Sequence, residues 1–267
     1  MRPVGAPGAP SRLDLERYEL EFDENFGGTE LNRDHWLPYY LPQWSSRAAT
    51  EARYDIRAGC LTLRVDADQA PWSPEFDGEV RVSSLQTGLW SGPLGSPNGQ
   101  HRFRPGLVVR EPQAASRLYT PRFGVVEVRA AATDDPDALV ALWMIGVEDA
   151  PERSAEICVV EVFGADVGPG VAAVGMGIHP FADPTLVDDF SVLAQPIDAR
   201  ELHRYAVRWT PDEVAFYLDR ELVRVIGQAP QYPMQLMLNV YDLTGPGHEG
   251  RYPKEFVVDY VHGYRPR

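Results

Sequence analysis

From Arg122 to the C-terminus the chain is a series of short apolar segments with alternating side chains, each closed by a turn, and helical spacing is nearly absent. That pattern leaves few folds open. Phe123–Ala130, Ala138–Gly146, 155–163, Val171–His179, Leu202–Thr210, the hairpin 214–225, Gln235–Tyr241 and Phe256–Tyr264 all read as strands. Upstream, a strand begins at Tyr18, a hairpin turns at Ala58-Gly59 between Tyr54 and Val65, and Val80–Thr87 reads as another strand. The 24 prolines and 23 glycines are spread along the chain, as punctuation between strands. Half-apolar strands bury their inner faces by stacking sheets, so the expected fold is all-β: one antiparallel two-sheet β-sandwich, a β-jelly roll. Ala138–Gly146 is almost wholly apolar and should be covered on both faces. Residues 1–12 read as a disordered Pro/Gly tail, and 13–267 as a single domain with no internal linker or repeat.

Charge narrows the partners. The net charge of -14 argues against a nucleic acid, which requires basic patches. No Lys/Arg cluster suggests a membrane anchor, and the longest apolar run, 138–147, is too short to span a bilayer. No secretory signal is visible, which points to the cytoplasm unless a leader was removed. A monomer is expected. Cys60 and Cys158 leave a disulfide open without implying one, and no cysteine spacing suits a metal.

The segment Ala155-Glu-Ile-Cys-Val-Val-Glu-Val162 is an apolar strand carrying two carboxylates that a core strand would not choose. Strict alternation puts Glu156 and Cys158 on one face and Glu161 on the other. One bulged residue near Val159 or Val160 reverses the parity and brings Glu161 to the face of Glu156. Paired carboxylates on one face suit glycoside hydrolysis; two glutamates on a solvated face are the plainer alternative. The stretch Trp36–Arg47 interleaves aromatics, Trp44 among them, with prolines. Such residues either wall a sugar-binding loop or pack the loop itself. The long segment 66–112, rich in Pro and Gly, reads as an elaborated loop set.

With these segments in order, the chain resembles glycoside hydrolase family 16, in its laminarinase-like branch. Glu156-Ile-Cys-Val-Val-Glu161 resembles the family's E-[aliphatic]-D-[aliphatic]-x-E strand. Arg122-Phe-Gly-Val-Val-Glu-Val-Arg129, Ala141-Leu-Trp143-Met-Ile-Gly146, Tyr205-Ala-Val-Arg-Trp209-Thr-Pro-Asp-Glu-Val214 and Val258-Asp259-Tyr-Val261 resemble segments flanking it. The opening, with Phe22-Asp-Glu-Asn-Phe26 and Leu31-Asn-Arg-Asp-His-Trp36, fits as well; 66–112 finds no match. The resemblance implies a cleft across a concave sheet and retaining hydrolysis, or transglycosylation, of a β-linked glucan or galactan. A β-1,3-glucan is the leading candidate. Glu156 would be the nucleophile and Glu161 the acid/base, with their carboxyls roughly 5–5.5 Å apart. Trp143 would stack on the sugar; His179 could reach the acid/base or a hydroxyl, and Asn239 a hydroxyl. No cofactor is needed for the chemistry. A structural Ca²⁺ is implied on the convex side, at the Asp259 carboxylate with carbonyls near Glu24 and Gly59.

Cys158 departs from the family, which carries Asp there. A neutral thiol is a weak donor and supplies no charge. A weakened enzyme is therefore expected, or one with an acid-shifted optimum because Glu161 loses a neighbour that raises its pKa. A carbohydrate-binding protein that kept the cleft and lost turnover is the alternative, and a jelly-roll interaction domain without a sugar ligand is a third.

Overall fold

The computed structural model describes residues 8–245 and 249–267. In chain order its strands are β1 Tyr18–Glu24, β2 Arg53–Arg57, β3 Cys60–Val65, β4 Arg81–Gln86, β5 Gly88–Leu89, β6 Ser116–Arg117, β7 Gly124–Ala131, β8 Ala138–Gly146 and β9 Glu156–Phe163. There follow β10 Val167–Gly168, β11 Val171–His179, β12 Asp189–Gln195, β13 His203–Trp209, β14 Val214–Leu218, β15 Glu221–Ile226, β16 Met234–Asp242 and β17 Lys254–Pro266.

These strands form two large antiparallel sheets. One runs β15-β14-β13-β7-β17-β3-β2 with β1 also on β17; the other runs β10-β11-β9-β8-β16-β4 with β12 also on β11. The expected sandwich is therefore present. Its main core lies between the sheets, where Val126, Val128, Val207 and Phe216 meet Val140, Leu142, Met144 and Leu238. Each such buried side chain contributes roughly 1.5–3 kcal/mol relative to exposure.

β8 is covered on both faces, as its composition requires. Val140, Leu142 and Met144 enter the main core, while Ala141, Trp143 and Ile145 face a second apolar cluster. That cluster is closed by Tyr40, Leu41 and Trp44 and by Trp72, Leu107 and Val109. The unmatched stretch 66–112 thus folds over the outer face of the β9-containing sheet. The aromatic loop lies beneath it.

Part of the segment expected as a tail packs on the sandwich. Residues 1–7 lie outside the described residues, but 10–13 dock on the β14–β15 hairpin. Leu13 is buried and its N–H donates to Arg220 O at 2.8 Å, and Leu222 N–H donates to Ser11 O at 2.8 Å. The Tyr217 hydroxyl donates to Pro10 O at 3.2 Å. An edge hairpin with unpaired backbone groups accounts for this docking. The single lysine of the chain, Lys254, is fully buried and holds Asp135 through two bonds of 2.8 and 2.9 Å.

Candidate active site

β9 carries the bulge on which its chemistry depends. Opposite β8, Leu142 pairs with Val160 but Trp143 pairs with Cys158, so Val159 has no partner. Opposite β11, Gly175 pairs with Glu161 and Gly177 with Cys158. Val159 and Val160 both enter the main core, together with Ile157 and Val162. Two successive residues facing inward reverse the parity. Glu156, Cys158 and Glu161 therefore share the outer face of the sheet.

The neighbouring strands give that face its shape. β11 presents Gly175, Gly177 and His179 beside the three β9 residues. Glycine is required here by close approach: a Cβ at Gly177 would lie 2.4 Å from Asp189 O, and one at Gly175 would lie 2.6 Å from Phe190 Cζ. Phe190 instead covers the gap and stacks on His179, ring centroids 4.9 Å apart. His179 Nδ1 lies 2.7 Å from Asp188 Oδ2, which fixes the ring and leaves Nε2 available.

On the other side, Trp143 is next to Cys158 and Ala141 next to Glu161. The Trp143 indole N–H donates to Asn239 Oδ1 at 2.6 Å. Asn239 is wholly buried, so it orients Trp143, and its Nδ2 is buried without a hydrogen-bond partner.

Burial dominates the electrostatics. It pushes the Glu156 carboxyl up to about 8, reinforced by Glu161 and Asp188. Burial also raises Glu161, opposed by the cationic form of His179. The Cys158 thiol is driven well above its usual range by burial and by both glutamates, so it stays a neutral thiol. Burial thus raises Glu161 with no aspartate charge beside it.

The sequence-derived residues divide clearly. Glu156, Cys158, Glu161, Trp143, His179 and Asn239 gather on one face. Trp44 does not join them as a sugar platform. It is 1% exposed and its indole N–H donates to Gln100 O at 2.9 Å, so it packs the loop. From the same stretch Tyr40 comes closest, its hydroxyl accepting from that of Tyr241 at 3.3 Å.

Three residues near the site were not singled out from the sequence. His101, at φ 51°, lays its ring 4.8 Å from Trp143 and 5.1 Å from Phe181. Its N–H donates to the buried carboxylate of Glu148. The length of the 66–112 segment hinted at His101; Glu148 and Phe181 lie outside it and had no such signal.

Cys60 and Cys158 are free thiols. Among the described residues no group of three or more His, Cys, Asp or Glu is arranged to hold a metal. Of the implied calcium ligands, Asp259 is engaged by Arg129 Nη1 at 2.5 Å. The Glu24 carboxylate accepts from Phe26 N–H at 2.9 Å and lies 3.1 Å from His35 Nδ1. Gly59 sits in the β2–β3 turn at φ 75°. The guanidinium occupies the cation position at Asp259, so these residues do not fit a calcium ion without its displacement.

Residues 112–261 match the family model described as Glycosyl hydrolases family 16. An endo-1,3-1,4-beta-glycanase of Rhizobium meliloti, EglC, is 26% identical over 151 residues, covering 55% of this chain and 31% of the relative. Among solved structures, the GlcNAcα1-4Gal releasing endo-β-galactosidase from Clostridium perfringens has a TM-score of 0.80 and 29% identity, over 97% of this chain and 65% of that one. The endo-1,3-beta-glucanase (laminarinase) catalytic domain from Thermotoga petrophila has a TM-score of 0.67 at 17% identity, over 94% and 98%. The chain thus spans less than two thirds of the first two relatives.

Proposed function

The chain belongs to glycosyl hydrolases family 16, and from that membership we propose that it is a retaining glycoside hydrolase of a β-linked polysaccharide. One observation carries the reading: the β9 bulge brings Glu156 and Glu161 to the same face with only a small side chain between them. In the proposed reaction Glu156, ionised, attacks the anomeric carbon while Glu161, protonated, gives its proton to the departing oxygen. The resulting glycosyl ester on Glu156 is then hydrolysed by a water that Glu161, now a carboxylate, deprotonates. Trp143, held by Asn239, forms the wall against which the sugar rests. His179, oriented by Asp188, favours the ionised form of Glu161 that the second step uses.

For the backbone sugar, glucan and galactan remain on one panel. A β-1,3-glucan is supported by the endo-1,3-1,4-beta-glycanase relative. A β-galactoside is supported by the higher likeness to the endo-β-galactosidase over nearly the whole chain. The test of mechanism is independent of that choice. Incubation with 2-fluoro-glucosyl and 2-fluoro-galactosyl donors should add one sugar mass to the peptide containing Glu156. Labelling elsewhere, or none with either donor while polysaccharide is being cleaved, refutes the assigned nucleophile.

Cys158 favours a second reading, a glycan-binding protein with little turnover, because the family aspartate beside the nucleophile is replaced by a neutral thiol. Binding to a glycan array without any reducing-sugar release, and without rescue in Cys158→Asp, would select it.

A further inference from the structure

A second bulge, on the opposite sheet, turns one charged side chain toward the back of the site. On β15 Arg224 pairs with Phe216 and Leu222 with Tyr217, so Val223 has no partner. Val223 packs against the main core, which also contains Phe216. Cross-strand partners share a face, so two successive residues, Val223 and Arg224, point inward. Strict alternation would send Arg224 out to solvent. Instead its side chain is 16% exposed and crosses to the other sheet at the edge of the sandwich.

Both of its contacts land on the strands that hold His179. Arg224 Nη1 donates to Met176 O at 2.8 Å, and Nη2 donates to the Asp189 carboxylate. Met176 lies on β11 between Gly175 and Gly177, opposite the bulged pair Val159 and Val160. Asp189 opens β12, and its two sequence neighbours are the two partners of the His179 ring: Asp188 bonds Nδ1 and Phe190 stacks on the ring. The Asp189 backbone oxygen also closes on Gly177. An arginine fastened to the residue between Asp188 and Phe190 limits where both can stand.

We propose that Arg224 is a positioning residue: through Asp189 it sets Asp188 and Phe190, and through them the orientation of His179 toward Glu161. This rests on the hydrolase reading and deepens it, because it ties a residue of the opposite sheet to the second step. In that step the Glu161 carboxylate takes the proton of the attacking water, and cationic His179 favours that carboxylate. Arg224 itself lies behind the sheet and meets no reacting group. A guanidinium suits the task because its planar fork serves a carbonyl and a carboxylate at once, whereas an ammonium is a point charge on a flexible stem.

The experiment times the second step by itself. The native chain, Arg224→Met, Arg224→Lys and Asp189→Ala are loaded with the 2-fluoro-glycosyl donor that labels the native chain, freed of donor, and followed by intact mass as the sugar is lost to water. Loss should slow about tenfold in Arg224→Met and Asp189→Ala and recover in part in Arg224→Lys, while the rate of loading changes by less than about twofold. In a His179→Gln background, Arg224→Met should slow the loss no further. The Asp189 side chain is 43% exposed, so its truncation tests the proposal even if Arg224→Met does not fold. Unchanged loss overturns the proposal, as does a parallel fall in loading and loss, the mark of a generally loosened sandwich. A second readout needs no turnover: the imidazole NMR signal of His179, identified by its absence in His179→Gln, should move in Arg224→Met while that of His262 on β17 stays. A His179 signal that does not move overturns the proposal as well. Failure of the hydrolase reading shows separately, as no labelling and no polysaccharide turnover by the native chain, with the His179 signal still following Arg224.

Discussion

Replacing Glu156 by glutamine should stabilise the protein, and more so as the pH rises. The Glu156 carboxyl is moved from 4.5 to about 8, chiefly by burial. Between those values the folded chain holds a proton that the unfolded chain has released, so native stability falls with increasing pH across this window. At roughly 1.4 kcal/mol per unit, the ceiling above pH 8 is about 5 kcal/mol. Glu156 is only partly withdrawn from solvent and shares its site with Glu161, which brings the expectation down to about 2–3 kcal/mol. For a chain of this length that is roughly 5–10 °C in Tm. The assay is thermal unfolding of both proteins across a pH series. The two should melt together near pH 4.5, where the native glutamate is protonated, and the variant should lead by about 5 °C near pH 8.5. Glu148, also raised to about 8, adds the same slope to both proteins and cancels. A gap independent of pH, or a variant that melts earlier at the alkaline end, refutes the reasoning.

Turnover requires Glu156 ionised and Glu161 protonated, and both carboxyls are raised by burial; the rate should climb as the pair loses its first proton and fall as it loses the second, so the pH–rate profile should peak above the usual carboxylate range. Cys158→Asp should raise kcat about tenfold by placing beside the nucleophile an acid whose protonated form donates more strongly than a thiol, read from initial rates of sugar release. Asn239→Ala orphans the Trp143 indole and should lower kcat/KM by about tenfold with a small loss of Tm. Lys254→Met leaves the buried Asp135 only the more distant Arg251 guanidinium, 3.5 Å away, and should cost about 3 kcal/mol in denaturant unfolding. Because Arg129 already serves Asp259, excess calcium or a chelator should change Tm by less than about 1 °C.

The sandwich was legible in the sequence because alternation and turn residues act locally, and β8 showed its double burial through composition alone. The β9 bulge was legible only as a condition. Val159 and Val160 are both apolar, so the chain does not say which of them faces the core; that is decided by the pairing with β8 and β11. Gly175 and Gly177 were a signal not drawn upon, since glycines in a strand mark a close approach. Trp44 and Tyr40 illustrate the limit: both are aromatics in one proline-rich loop, and only tertiary packing buries the first and brings the second toward Tyr241. His101 and Glu148 are separated by 47 residues and meet through a backbone N–H, a contact with no sequence signature. At Cys158 composition registered the missing charge, while the desolvation that raises both glutamates is a property of the fold.

The most direct measurement is reducing-sugar release from a panel of β-glucans and β-galactans, run from about pH 5 to about pH 9 with the native chain and Glu156→Gln side by side. Release by the native chain from at least one substrate, abolished in the variant while its fold is intact and its melting no lower than the native chain's, is the expected result. Release that survives in Glu156→Gln, or none from any substrate by the native chain, contradicts the assignment of the bulged strand as the seat of catalysis.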